Sequence, residues 1–188
     1  MKTQIIKIIA ALTLLAALIL IGHGVYIQAK ALLAQYYIED AWHTTLETSE
    51  PQKPWSWADT EVVMKMHVPS LGKEIYILEG DTGSSLAFAP GHSSASFLPK
   101  DNGTVMVSAH RDTHFSFLKQ LKQGDEVILQ DKNKQLYYYT MTQAKVIDSK
   151  KDTIPIYSGI DELVLVTCWP FDAVKAGGSQ RYIAKFEL

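Results

Sequence analysis

The sequence predicts a mainly β domain with one or two short helices, preceded by an N-terminal helix that forms a transmembrane segment and stalk. Two observations carry this prediction. The first is a long apolar segment near the N-terminus that contains no proline. The second is a series of short runs from Glu61 onwards, rich in β-branched and aromatic residues and partly alternating between apolar and polar positions. Turn-forming residues separate these runs by about 8 to 15 residues, a spacing typical of an antiparallel sandwich or a closed barrel.

The N-terminal segment has the length and composition of a membrane span. Residues 8–22 carry no charge, and Lys2 and Lys7 precede them. A helix over residues 5–27 is long enough to cross a hydrocarbon core of about 30 Å. Because basic residues favour the cytoplasmic side, we expect residues 1–28 to be an uncleaved signal anchor in the cytoplasmic (inner) membrane. The rest of the chain would then lie on the periplasmic or extracytoplasmic side. A cleaved signal peptide and a buried core helix are the alternatives.

The remainder of the chain divides at a change of composition. Residues 29–60 are predicted to be a helical stalk followed by a linker, because residues 48–60 contain two prolines and small polar residues. Trp55 and Trp57 alternatively pack on the domain as an N-terminal lid. Residues 61–188 are predicted to form the folded domain, with a short helix near residues 114–121.

Composition excludes several classes of protein. The 188 residues include 18 basic and 20 acidic side chains, for a net charge of -2. This balance gives no electrostatic reason to expect nucleic-acid binding. Cys168 is the single cysteine, which excludes an internal disulfide framework and a cysteine-rich zinc site. In an exported chain it is either a buried inert residue or a thiol kept for chemistry.

Three predicted strands each carry one chemically distinctive side chain at an end. His110 follows the run TVMVSA, Cys168 ends the run LVLVTC, and Arg181 opens the last strand. A free thiol has a pKa of about 8.5, so a cysteine nucleophile needs a nearby cation or base to ionise at neutral pH. Arginine also supplies hydrogen-bond donors for a developing oxyanion. These three residues are therefore the candidate catalytic group.

The segments TVMVSAHRDTHF and LVLVTCWPFDA, followed by Arg181, together resemble the sortases, which are membrane-anchored cysteine transpeptidases. The likeness is to the Gram-negative, proteobacterial branch of that family and covers about residues 62–188. Ala109 is one departure, because the family commonly has glycine before the histidine. We expect only a modest local change there, provided that this position does not need a positive φ.

The resemblance implies a sortase-like closed β-barrel and a defined reaction. Cys168 would be the nucleophile, His110 the general acid and Arg181 the cation that orients the substrate and stabilises the oxyanion. The substrate would be a secreted protein with a C-terminal sorting signal, cleaved through a thioacyl-enzyme and transferred to an amine acceptor. The alternative is a cysteine hydrolase, either a peptidase or an esterase, that uses the same site with water as acceptor. Neither a cofactor nor a metal is expected.

Four further residues are candidates for substrate binding or support. Thr167 precedes the cysteine, and Trp169 and Phe171 lie in the loop that follows it. Asp112 would orient His110 or Arg181, or cap a helix that starts near Thr113. β-propensity alone also explains a threonine at 167, and the loop is alternatively an ordinary surface crossover.

Two other histidines remain without an assigned role. His114 stands four residues after His110, a spacing used by zinc ligands on a helix, and His92 lies in the loop APGHSS. Because His110 is predicted at a strand end rather than within a helix, we do not expect these histidines to hold a metal.

Overall fold

The computed structural model describes residues 2–175 and 177–188. The chain forms two compact units, of which the first ends at Tyr36 and the second runs from Tyr37 to Leu188. Helix α1, Lys2–Thr48, supplies the described part of the first unit and the beginning of the second. In the first unit its leucine and isoleucine side chains are exposed, and the helix is long and apolar enough to cross a membrane.

The last three turns of α1 are amphipathic and belong to the second unit. Ile38, Ala41, Trp42 and Thr45 are buried, at the spacing expected for one face of a helix. This face packs in an apolar cluster whose other buried members lie on the barrel: Val62, Leu78 and Ala89.

The segment between α1 and the first strand packs in part on the domain. The Trp55 ring lies edge-to-face with Phe88, with centroids 5.0 Å apart. Trp57, in contrast, is 79% exposed. The two tryptophans therefore have different environments, and only Trp55 meets the packing alternative considered for this segment.

Eight strands form a closed barrel, which confirms the predicted mainly β fold and rules out the sandwich alternative. The strands are β1 Val62–Val68, β2 Lys73–Glu79, β3 Gly91–His92, β4 Thr104–Ser108, β5 Glu126–Gln130, β6 Leu136–Asp148, β7 Glu162–Cys168 and β8 Gln180–Glu187. Their order around the barrel is β1-β2-β3-β4-β7-β8-β6-β5, closed by pairing of β5 with β1. The short helices are α2, Gly83–Leu86, and two 3₁₀ turns, Pro69–Leu71 and Ser116–Gln120.

The expectation of antiparallel pairing fails at two places. β2 pairs with β3 in parallel, and β4 pairs with β7 in parallel over five residues. The second pairing needs a crossover long enough to return the chain to the same end of the barrel, and β5 and β6 lie within that crossover. As a result, the C-terminal ends of β4 and β7 lie side by side.

Alternation along the strands separates the barrel core from the outside. In β7, Leu163 and Leu165 are in the main core, whereas Val164 and Val166 form a separate apolar cluster with Ile183 of β8. This second cluster lies on the opposite face of the sheet. We call that face, formed by β4, β7, β8 and β6, the outer face.

The predicted short helix near residues 114–121 forms as one 3₁₀ turn. Phe117 and Leu118 of that turn are buried and join the core. Gly124 follows with a φ of 93°, a left-handed conformation that glycine adopts without strain.

Replacement of Trp42 by alanine should destabilise the domain by about 3 to 5 kcal/mol, because it empties the centre of the cluster between α1 and the barrel. Trp57→Ala is the matched control and should change stability by less than about 0.5 kcal/mol, since that side chain is exposed. Urea unfolding of the full chain in detergent, followed by far-ultraviolet circular dichroism, measures both. Equal stabilities of the two variants would contradict the packing of Trp42.

Candidate active site

Strand pairing brings Cys168 and Arg181 together. β7 and β8 are antiparallel, and Cys168 is directly opposite Arg181 in their register. Side chains at such opposed positions have Cβ atoms about 4.5 to 5.5 Å apart and lie on the same face of the sheet. The sequence pattern predicted that both residues lie at strand ends, and the register makes them neighbours.

The parallel pairing of β4 and β7 brings His110 to the same end. Ser108 is opposite Val166, and the Ala109 amide donates to the Val166 carbonyl at 3.1 Å. If this register continues, His110 is level with Cys168. Cys168 is thus flanked by Arg181 on one side and by the His110 segment on the other.

Ala109 fits this arrangement without strain. The residues other than glycine that have a positive φ in the described chain are Ser49, Asn102 and Lys134, so Ala109 needs no left-handed conformation. Its carbonyl accepts a hydrogen bond from the Thr167 hydroxyl at 2.7 Å. Position 109 therefore needs no positive φ, which was the condition for expecting only a modest change where the family commonly has glycine.

The candidate residues lie on the outer face beside an apolar floor. By alternation, Cys168 shares its face with Val164 and Val166, and Arg181 shares its face with Ile183. Ile154, from the connection between β6 and β7, packs on this floor. Val164, Ile183 and the connection, with residues of β6, line a cleft of about 140 Å³ near Glu162 and Lys185; the three candidate residues do not line it.

Arg181 has donors left over for a ligand. Its Nη1 donates to the carbonyls of Gly178 and Gln180, at 2.7 and 2.9 Å. Within the described chain its Nε and Nη2 atoms have no protein acceptor. Cys168 is half-buried and unbonded to another cysteine, and the His110 side chain is exposed. A molecule on the outer face can reach all three.

A buried ion pair that the sequence analysis missed closes the far end of the floor. Glu162 is 2% exposed; its Oε1 accepts a hydrogen bond from the Thr104 hydroxyl, at 2.7 Å, and its Oε2 forms an ion pair with the Lys185 ammonium, at 2.8 Å. The contact with Glu162 raises the pKa of Lys185. Tyr157 of the β6–β7 connection donates its amide to Thr104 Oγ1 at 2.9 Å. The sequence does offer one indication: Glu162 stands two residues before Val164 in an apolar strand, so both side chains lie on the same face of the sheet.

β7 sets the length of the floor. Glu162 and Cys168 are the first and last residues of β7. This separation is roughly 20 Å, equal to about six residues of extended chain. Along this length the floor itself is covered, since Val164, Val166 and Ile183 are only 4 to 8% exposed and Ile154 packs on them.

The structure gives the four candidate support residues different environments. Thr167 is buried and hydrogen-bonded to the strand end that precedes His110. Trp169, Phe171 and Tyr182 form an aromatic cluster with centroid separations of 5.1 to 5.9 Å. Phe171 and Tyr182 also pack on the barrel core, so this cluster lies on the side opposite the outer face.

Asp112 is exposed and makes no hydrogen bond or ion pair within the part of the chain that the structure describes. The expected capping bond is not formed. The 3₁₀ turn begins at Ser116, with Phe115 at its cap position and no side-chain capping bond.

Arg111, which directly follows His110, is buried. It is 8% exposed, and its Nη2 atom donates to the carbonyls of Ala173, at 2.8 Å, and Lys175, at 3.0 Å. Both acceptors lie in the segment 169–179, which joins Cys168 to β8. No local pattern in the sequence indicates this contact, because the partners are far away along the chain.

The two unassigned histidines have separate roles. His92 is buried, with Nδ1 2.9 Å from a Glu79 carboxylate oxygen and Nε2 3.1 Å from the Phe97 carbonyl. The bond to His92 holds the pKa of Glu79 below its ordinary value. His114 is half-buried near His110. Burial, and secondly the charge of His110, lower the pKa of His114.

Comparison with known proteins gives a consistent result. A profile of the Sortase domain family matches residues 66–188. Sortase D of Bacillus subtilis (strain 168) is 33% identical over 120 residues, which cover 63% of this chain and 59% of that protein. The matched part thus spans less than two thirds of that relative's length.

Solved sortase structures share the barrel. A sortase D5 transpeptidase from Clostridium perfringens has a TM-score of 0.66 at 20% identity, covering 83% of this chain and 98% of that chain. Sortase A from Corynebacterium diphtheriae has a TM-score of 0.60 at 21% identity, covering 70% of this chain and 62% of that chain. At these identities the likeness concerns the fold, and it confirms the expected sortase-like closed barrel.

Replacement of Thr167 by valine should destabilise the domain by about 1 to 3 kcal/mol, because it leaves the buried Ala109 carbonyl without its donor. Thr113→Val is the control, since Thr113 is exposed in the turn after His110 and should tolerate the change within about 0.5 kcal/mol. Chemical unfolding at neutral pH measures both. A Thr167→Val protein as stable as the control would contradict the importance of this bond.

Replacement of His114 by glutamine should flatten the dependence of stability on pH. The folded chain binds a proton at His114 more weakly than the unfolded chain, whose ordinary pKa is 6.5. The unfolded state therefore gains more from protonation, and stability falls as the pH drops below that value. Between pH 7.5 and 5.5, the wild-type chain should lose more free energy of unfolding than His114→Gln. Equal losses would contradict the lowered pKa.

Proposed function

The chain belongs to the sortase family, and on this premise we propose that it is a membrane-anchored cysteine transpeptidase. It cleaves a C-terminal sorting motif of a secreted protein and transfers the protein to an amine acceptor. The observation that supports the proposal is the strand pairing, which places Cys168 opposite Arg181 and the end of β4, two residues before His110, beside the end of β7.

In the first half of the proposed reaction, the Cys168 thiolate attacks the carbonyl carbon of a peptide bond. The carbonyl oxygen becomes an oxyanion, and the unused Arg181 donors stabilise that charge where it develops. When the tetrahedral intermediate collapses, the C–N bond breaks and protonated His110 gives a proton to the departing amine. The product is a thioacyl-enzyme with a neutral imidazole.

The second half reverses these roles. An incoming primary amine attacks the thioacyl carbon, and His110 accepts the proton that the amine loses. The C–S bond breaks and restores the thiolate beside the protonated imidazole. Acid and base are thus the same group at two stages, so the site needs only one histidine.

The outer face supports a peptide substrate. Val164, Val166 and Ile183 lie alongside Cys168 and are covered by Ile154, whereas the half-buried Cys168 and the exposed His110 mark the accessible end of this face. The thiol lies at one end of this floor, as cleavage near one end of a bound motif requires. Thr167, Trp169 and Phe171 remain proposed support residues that act from the opposite side of the sheet, and Asp112 remains one in the exposed turn after His110.

We also propose where the enzyme works. The apolar part of α1 anchors the chain in the inner membrane, with residues 61–188 as the catalytic domain on the extracytoplasmic side. The motifs around His110 and Cys168 favour the Gram-negative branch of the family. The amine acceptor would then be a component of the cell envelope.

The test uses the full chain in detergent with a library of synthetic peptides and a panel of primary amines. Intact-mass spectrometry should find one acyl adduct on the wild-type chain and none on Cys168→Ala, since this is the single cysteine. His110→Ala and Arg181→Ala should lower kcat/KM by about 10² to 10⁴-fold. Lys150→Ala, a change in an exposed turn, is the control and should retain wild-type activity.

Three results would contradict the proposal. A Cys168→Ala chain that still cleaves and ligates peptides would exclude the thiol as nucleophile. A wild-type chain that forms no adduct with any library member would exclude the thioacyl route. Formation of the free acid alone, at every amine concentration, would assign the chain as a hydrolase instead.

A further inference from the structure

Arg111 carries a buried positive charge that the proposed reaction does not use. A guanidinium stays protonated in proteins, and its burial is costly unless its donors are satisfied. Within the described chain no carboxylate pairs with it. Its Nη2 atom instead donates to the carbonyls of Ala173 and Lys175, at 2.8 and 3.0 Å.

The two carbonyls belong to the segment that connects the reactive residues. The segment 169–179 begins directly after Cys168 and ends two residues before Arg181. Arg111 itself directly follows His110. One guanidinium therefore joins the histidine-bearing end of β4 to the loop whose two ends hold the nucleophile and the proposed oxyanion donor.

Other contacts hold the ends of this loop: the Gly178 carbonyl accepts from Arg181, and the Ser179 carbonyl accepts from the Ser149 amide and hydroxyl. The middle of the loop has fewer. Within residues 171–177, the hydrogen bonds described from the structure that reach beyond the loop are the two from Arg111. The Ala173 amide bonds to Pro170 inside the loop, and Val174 is fully exposed. Phe171 packs on Tyr182 at one end. The middle of the loop thus depends on Arg111 for its position.

The other side of the histidine is also held. The Thr167 hydroxyl donates to the Ala109 carbonyl, directly before His110, and Arg111 directly follows it. The backbone of His110 therefore lies between two ties, one to β7 and one to the loop after β7. The first bond involves Thr167, directly before Cys168, and the second involves Ala173 and Lys175 in the loop that follows Cys168.

We propose that Arg111 is a positioning residue that holds the 169–179 loop and the His110 turn in register for catalysis. Its kinetic consequences rest on the transpeptidase function proposed above, but its effect on the loop does not. Displacement of reacting groups by about 1 Å can lower a rate about 10²-fold. Loss of the two carbonyl bonds should therefore act on the reaction through the loop, without any contact between Arg111 and the substrate.

The experiment compares Arg111→Met, which removes all donors, with Arg111→Lys, which keeps the charge and reaches the carbonyls from a single nitrogen. Hydrogen–deuterium exchange of the full chain in detergent should become faster in residues 169–179 of Arg111→Met and stay unchanged in β5 and β6. The kcat/KM should fall about 10 to 100-fold, mainly in kcat, and Arg111→Lys should recover part of both. Lys119→Met, an exposed change nearby, is the matched control.

The outcomes separate this inference from the function. Wild-type loop exchange and kcat/KM within twofold of wild type for Arg111→Met would overturn the inference and leave the function intact. If the wild-type chain transfers no peptide, hydrogen–deuterium exchange of the loop still decides the role of Arg111. Faster exchange in Arg111→Met than in wild type supports the inference, and equal exchange overturns it. If Arg111→Met does not fold, Arg111→Lys tests the inference instead. Its residues 169–179 should exchange somewhat faster than in wild type, and exchange equal to wild type would overturn the inference.

Discussion

Parallel pairing of β4 with β7 is the constraint on which the candidate site depends. Antiparallel neighbours place the end of one strand beside the start of the next, and that relation alone joins Cys168 to Arg181. An antiparallel pairing cannot bring the C-terminal ends of two adjacent strands together. Because β4 and β7 run the same way, His110 and Cys168 both follow the C-terminal ends of adjacent strands. The site therefore combines one parallel and one antiparallel contact of a single strand.

The sequence was informative wherever a side chain's environment is determined by its own strand. The positions of Cys168 at the end of β7 and of Arg181 near the start of β8 were predicted from the runs that contain them. The parallel register was not, since it arises from a crossover that contains two further strands. No local pattern in β4 or β7 distinguishes a parallel partner from an antiparallel one.

The residues missed by sequence reasoning share a physical cause. Arg111 is satisfied by carbonyls 62 and 64 residues later, and Glu162 by a hydroxyl 58 residues earlier. Charged residues are ordinarily exposed, so the sequence suggests solvent contact for Arg111, which follows β4, and for Glu162, the first residue of β7. Their burial follows only from partners that the closed barrel supplies. These hydrogen-bond partners, distant along the chain, can be identified only once the register of the strands is known.

The charges on the outer face are distributed unequally along its length. At the far end, Glu162 and Lys185 neutralise each other, and Glu187 lies 3.7 Å from the same lysine. The central part is apolar. Near Cys168, neither Arg111 nor Arg181 pairs with a carboxylate in the described chain, so the positive charge there is uncompensated by side chains. In the proposed reaction, this charge would stabilise the oxyanion that develops at that end of the face.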